Sequence, residues 1–146
     1  MERVKEVVVL DASVLVKWFV NEELSDKALE IRKSYIDRKI NIACPQILPF
    51  EVLNALRFNP EFGEEQLKIA SEALQKYQLR LYPILGEMAH MCVRNALNFG
   101  ISIYDASYIS LGEYIDSKLY SADQKLLDRV DKLEDRVAHV SDFKVR

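Results

Sequence analysis

Residues 7–10 read Val-Val-Val-Leu, and an aspartate follows at once. A continuous run of β-branched and apolar residues leaves no side of a strand for solvent. Such a strand belongs inside a parallel sheet with helices on both faces. The rest of the chain supplies that surrounding. Ile40–Cys44, Leu79–Tyr82, Lys118–Ser121 and Val137–Val140 read as further short strands. Between them, helical patterns run over Ser13–Val20, Glu22–Arg38, Ile47–Phe58, Glu64–Tyr77, Glu87–Phe99, Tyr104–Ile115 and Gln124–Asp131. Glu22–Arg38 carries Leu24, Ala28, Leu29, Ile31 and Ile36 at helical spacing, and Glu64–Tyr77 carries Leu67, Ala70, Leu74 and Tyr77. Pro49 suits a first turn, and Gly100 a helix stop. Breaks fall at Pro45, Asn59-Pro60, Pro83 and Gly100. Strands alternating with helices predict an α/β protein, a parallel sheet covered on both sides.

The 146 residues are the length of a single domain, 1–146, long enough to bury a core without staples. Cys44 and Cys92 make no CxxC pair and read as buried thiols in a reducing, cytoplasmic setting. Asp11 and Lys17 interrupt the apolar N-terminal stretch, so no membrane span is expected, and no small-residue cleavage site marks a signal peptide. The net charge of −3 counts against a general nucleic-acid-binding module. It counts for little if several acids are metal ligands, because the rest of the chain is then close to neutral.

Ligand sites in parallel sheets form beyond the carboxyl ends of the strands, where strand order reverses. Asp11 directly follows the first strand, and Asp123 follows the fourth after one turn residue. Glu51 in PFEVLNAL and Asp105 in SIYDASYISLGE lie among apolar residues and can point over the same end of the sheet. Carboxylates suit hard cations, and two such ions can activate a water and stabilise the leaving oxygen of a phosphodiester. A set with no histidine favours Mg²⁺ or Mn²⁺ over Zn²⁺. Each acid also has a plainer role. Asp11 and Asp123 can be helix N-caps, Asp105 stands in a capping-box relation to Ser102, and Glu51 can be a first-turn acid favoured by the helix dipole. The series in order is the informative feature.

Ser13 and Ser121, each two residues from an acid, can orient those carboxylates or serve as caps. Asn54 shares a helix face with Glu51. Lys17 can meet a phosphate or lie along the surface. The glycines form no phosphate-cradling loop, and His90 and His139 form no HExxH and no readable Ser-His-Asp set. The scattered tyrosines, Tyr108 among them, read as packing, and Trp18 as core or interface. Val14–Val20 and Ile47–Phe58 carry more large apolar side chains than a small domain easily covers, which fits a partner surface.

VVVLDASVLVKWF, PFEVLNAL, SIYDASYISLGE and LYSADQKLL, in this order and spacing, resemble the four acidic motifs of the PIN-domain family, most closely its VapC-type toxins. The resemblance covers Val7 to about Asp128. It implies a three-layer α/β/α fold whose five-stranded parallel sheet has order 3-2-1-4-5. It implies Asp11, Glu51, Asp105 and Asp123 as catalytic, metal-binding acids for Mg²⁺ or Mn²⁺. It also implies RNA as substrate, a small antitoxin partner and a homodimer. Ser121 stands where many relatives have Thr, and residues 59–63 have no clear counterpart. Other readings remain open: a processing nuclease without an antitoxin, a non-catalytic PIN module, or a phosphatase or receiver domain on a similar sheet. Against the last two, Asp11-Ala12-Ser13 lacks the Asp-x-Asp of haloacid-dehalogenase-type phosphatases, and Leu81-Tyr82-Pro83-Ile84 lacks a receiver's phospho-accepting aspartate.

Overall fold

The computed structural model describes residues 5–145. Strand β1 (Glu6–Leu10) leads into a short helix α1 (Ala12–Leu15) that tightens into a 3₁₀ turn over Val16–Trp18. Helix α2 (Ser25–Ile36), β2 (Ile40–Pro45), α3 (Leu48–Arg57), α4 (Glu64–Lys76) and β3 (Arg80–Tyr82) follow. Then come α5 (Gly86–Phe99), α6 (Ile103–Tyr114), β4 (Lys118–Ser121), α7 (Gln124–Arg129) and β5 (Val137–His139). All strand pairs are parallel, and the order is β3-β2-β1-β4-β5. The expected α/β fold and strand order are therefore the observed ones.

β1 takes the centre because its sequence cannot tolerate an edge. Val9 pairs with Ala43 on one side and Leu119 on the other, and Val8, Val9 and Leu10 are fully buried. Each such side chain contributes roughly 1.5–3 kcal/mol of burial free energy. The edge strands β3 and β5 are three residues each, and Leu81 is left exposed on β3. Short edges limit unwanted pairing with other chains.

The elements after β1 differ from the expected ones in two respects. α2 begins at Ser25, not Glu22. The Ser25 hydroxyl accepts from Glu22 N at 2.9 Å and donates to Val20 O at 2.9 Å, tying the preceding loop to the helix start. Leu24 takes a left-handed conformation there, with φ 68°. The segment Val14–Val20 also proves to be core, not partner surface. Val14, Leu15 and Trp18 are buried, the Trp18 indole donates to Ala28 O at 2.9 Å, and its ring meets Tyr77 edge-on at 5.0 Å. α3 and its C-cap keep the expected apolar excess outside, with Phe50 and the C-cap Phe58 each more than 70% exposed.

α5 and α6 pack as a hairpin on one face. Gly100 ends α5 with φ 62°, a left-handed cap, and the buried Asn95 amide donates to Ser110 Oγ at 2.9 Å between the helices. Gly112 lies where the chain doubles back into β4; a Cβ there would stand 2.8 Å from Ser117 O. Capping and close approach thus deliver α6 to β4 at a set angle, and α6 carries Asp105.

Candidate active site

β1 and β4 are neighbours where the strand order reverses, the point at which a site forms in such sheets. Asp11 N reaches Tyr120 O at 3.4 Å, one step beyond the ladder. The Asp11 side chain is 5% exposed and engaged at both oxygens. Ser13 Oγ donates to Oδ1, and Ser121 Oγ donates to Oδ2 at 2.5 Å. Each hydroxyl is itself aimed from the β4–α7 turn: Ala122 N donates to Ser13 Oγ at 2.9 Å and Asp123 N to Ser121 Oγ at 3.0 Å. With an amide on one lone pair, each hydroxyl directs its single proton at the carboxylate. Asp11 occupies the N-cap position of α1 yet makes no side-chain cap bond. Burial, reinforced by the Asp123 charge, pushes its pKa up to about 6 against the two hydroxyl bonds.

Asp123 does cap a helix. Its Oδ1 accepts from Lys125 N at 3.1 Å and Leu126 N at 3.3 Å. Asp105 is in the first turn of α6, whose N-cap Ser102 accepts from Asp105 N at 3.0 Å. Burial and then the Asp123 charge raise the Asp105 pKa. Glu51 is half-buried on α3, and burial and the Asp105 charge raise its pKa against a hydrogen bond from Tyr108. That bond, from Tyr108 Oη to Glu51 Oε1, is 2.7 Å. Three electrostatic couplings therefore join the acids in one run: Asp11 with Asp123, Asp123 with Asp105, and Asp105 with Glu51.

The other expected residues divide. Ser13 and Ser121 both converge on Asp11. Asn54 lies beside Glu51 in a groove of about 800 Å³ between α3 and α4, which Phe50, Arg57, Leu67 and Tyr104 also line. Lys17 pairs with Glu22 at 3.1 Å and meets none of the four acids. Sequence reasoning passed over Tyr108. Its only local signal was its position three residues after Asp105, on the same helix face.

The donor set fits a hard, hydrated cation. Cys44, which donates to Leu10 O at 3.3 Å, is pushed up to about 12 by burial, so it offers no thiolate to a softer metal. Among the described residues, no three His, Cys, Asp or Glu side chains form a ready-made cage. Mg²⁺ characteristically needs none, keeping several waters and using one or two carboxylates with substrate phosphate. Here Asp11, Glu51, Asp105 and Asp123 would be the holders.

Comparison with known proteins bears on the fold and the family. Ribonuclease VapC3 from Pyrobaculum aerophilum is 25% identical over 125 residues, covering 83% of this chain and 92% of that protein. Among solved structures, a toxin–antitoxin complex from Klebsiella pneumoniae superposes with a TM-score of 0.68 at 16% identity, over 91% of this chain and 97% of that one. FitAcB from Neisseria gonorrhoeae gives 0.67 at 12% identity, over 93% and 99%. At such identities the structural likeness speaks for the fold alone. The PIN domain family model matches residues 8–133, a span that takes in all four acids, both serines, β1 from Val8 onward, and β2, β3 and β4. With the sheet order and that match together, the chain belongs to the PIN-domain family.

Proposed function

We propose that this protein is a metal-dependent endoribonuclease, the toxin of a toxin–antitoxin pair, acting in the cytoplasm. The observation that carries this reading is the set of four coupled carboxylates, Asp11 and Asp123 beyond the ends of β1 and β4, Glu51 on α3 and Asp105 on α6, in a family member whose relative is named a ribonuclease. Asp11, Glu51, Asp105 and Asp123 are the residues that would hold Mg²⁺ or Mn²⁺. When bound, the ion supplies charge stabilisation at the scissile phosphodiester and activation of a water. Ser13 and Ser121 keep Asp11 turned into the crevice, and Asn54 flanks Glu51 on the substrate side. Water adds to phosphorus, the bond to the leaving oxygen breaks, and the proton ends on that oxygen. No covalent enzyme intermediate forms, because water is the attacking group.

The test is incubation of the purified protein with single-stranded RNA. Cleavage in Mg²⁺ or Mn²⁺ and none in EDTA is the expected outcome; full activity in EDTA overturns the mechanism. No helix among the described residues is long and apolar enough to cross a membrane.

The α3–α4 groove is the proposed seat of the antitoxin. Phe50 is 74% exposed in it, and the groove shares Glu51 with the site, so a segment lying there would cover Glu51. Phe50→Asp is expected to weaken partner binding at least tenfold, as loss of an aromatic anchor does, while metal-dependent cleavage persists. Immobilised wild type exposed to extract of the native host should retain a small protein that Phe50→Asp does not. Retention by neither favours the processing-nuclease alternative. A homodimer is proposed on family resemblance.

A further inference from the structure

We propose that Tyr108 is a positioning residue of the acidic cluster, its buried hydroxyl holding Glu51 in the orientation from which that carboxylate meets a divalent cation. This rests on the metal-dependent reading above. Tyr108 is 1% exposed, so its ring is fixed by the core. It stands on α6 three residues after Asp105, and its hydroxyl crosses to α3 to donate to Glu51 Oε1 at 2.7 Å. One helix therefore supplies both a carboxylate of the cluster and the tether for its neighbour.

The tether has something to oppose. Glu51 is a long, flexible side chain whose ordering costs rotamer entropy. It borders an open groove, and the charge of Asp105 disfavours its own. A free glutamate so placed would swing into the groove, away from Asp105. A phenol has few rotatable bonds and a single proton, and a ring locked in the core can direct that proton only at Glu51 Oε1. Asp11 has an equivalent arrangement in Ser13 and Ser121. Both acids are thus held by neutral hydroxyl donors, which orient a carboxylate without competing with the cation for it as an arginine or lysine would. The plainer alternative is that Glu51 merely satisfies a buried phenol. That role would alter melting but leave cation affinity untouched.

Calorimetric titration of metal-free protein with Mn²⁺ separates the two. Four proteins are needed: wild type, Tyr108→Phe, Glu51→Gln and the double variant. Tyr108→Phe is expected to bind Mn²⁺ about 10–100-fold more weakly, the usual cost of losing a partner that orients a metal ligand. The double variant should bind no more weakly than Glu51→Gln alone. Unchanged affinity in Tyr108→Phe, or the same factor lost in both backgrounds, overturns the proposal while leaving the metal reading intact. Wild type that binds no Mn²⁺ overturns both. Should Tyr108→Phe fail to fold, 3-fluorotyrosine placed at position 108 of the otherwise native chain gives a second readout. Its ¹⁹F resonance is expected to shift on Mg²⁺ saturation, and not to shift in the Glu51→Gln background. A resonance indifferent to Mg²⁺ in the native background overturns the tether.

Discussion

Asp11→Asn is expected to lower RNA cleavage by about a thousandfold. Charge stabilisation by a bound cation is worth several kcal/mol, and each 1.36 kcal/mol is a factor of ten. Asn preserves the shape of the side chain but removes the most deeply buried charge of the four, since Asp11 is only 5% exposed and the other three acids are half-buried. The substitution also disturbs the hydroxyl pair. Ser13 and Ser121 both donate to the carboxylate, and both already accept a backbone amide. An amide NH₂ facing either of them turns a good bond into a poor one, so geometry is lost along with charge. Single-turnover cleavage of a defined RNA at saturating Mn²⁺ checks the magnitude. Activity within tenfold of wild type would remove Asp11 from the mechanism. Lys17→Ala serves as the contrast, because its ammonium is committed to Glu22; cleavage by that variant should stay within a few-fold of wild type.

Without metal, the same acid should destabilise the fold, and the effect should depend on pH. A carboxyl whose pKa is raised by folding binds protons more tightly in the folded chain than in the unfolded one. Its penalty is therefore absent at low pH, grows as pH rises through the unfolded value of 3.8, and levels off above about 6. A shift of that size corresponds to about 3 kcal/mol at neutral pH. Glu51 and Asp105, also raised, act in the same direction. In EDTA at pH 7, Asp11→Asn is then expected to melt about 5 °C higher than wild type, after allowing about 1 kcal/mol for the disturbed hydrogen bond. At pH 4 the penalty falls below the cost of the disturbed hydrogen bond, so the variant should melt at or slightly below wild type. Mn²⁺ at a hundred times its dissociation constant should raise wild type by about 2.7 kcal/mol, and the variant by much less. Asp123→Asn should change metal-free stability little through the cap, because Asn caps a helix about as well as Asp. Melting curves at pH 4 and pH 7, in EDTA and in Mn²⁺, test all of this. An Asp11→Asn protein that melts below wild type in EDTA at pH 7 would mean that the two hydroxyl bonds outweigh burial.

Asp11 and Asp123 mark the limit of what local pattern reveals. Each follows a strand and precedes a short helix, and from sequence each had the same two roles open. In the folded chain they part. Asp123 caps α7, while Asp11, in the N-cap position of α1, leaves α1 uncapped and turns to two hydroxyls, one of them 110 residues away in sequence. Val14–Val20 and Ile47–Phe58 part in the same way. Both are apolar helical segments, but only the second keeps large aromatics at the surface. Which one is covered depends on α2 and α4 folding back over them, and neither segment encodes that by itself.

What the chain determined alone is whatever rests on neighbouring residues. The β-branched run at 7–9 demands burial on both sides, so it places β1 at the centre of a parallel sheet and Asp11 at its carboxyl end. Periodicity and Gly100 set the helices to within a few residues. Tertiary structure decided how the acids are held. The Tyr108 hydroxyl and Glu51 are 57 positions apart, and Ser121 reaches Asp11 only because β4 pairs beside β1. A hydrogen bond of under 3 Å between distant residues depends on the packing angle of whole elements, here set by the left-handed cap at Gly100 and the close approach at Gly112. Those angles arise from the sum of many side-chain contacts, and no short stretch of sequence contains that sum.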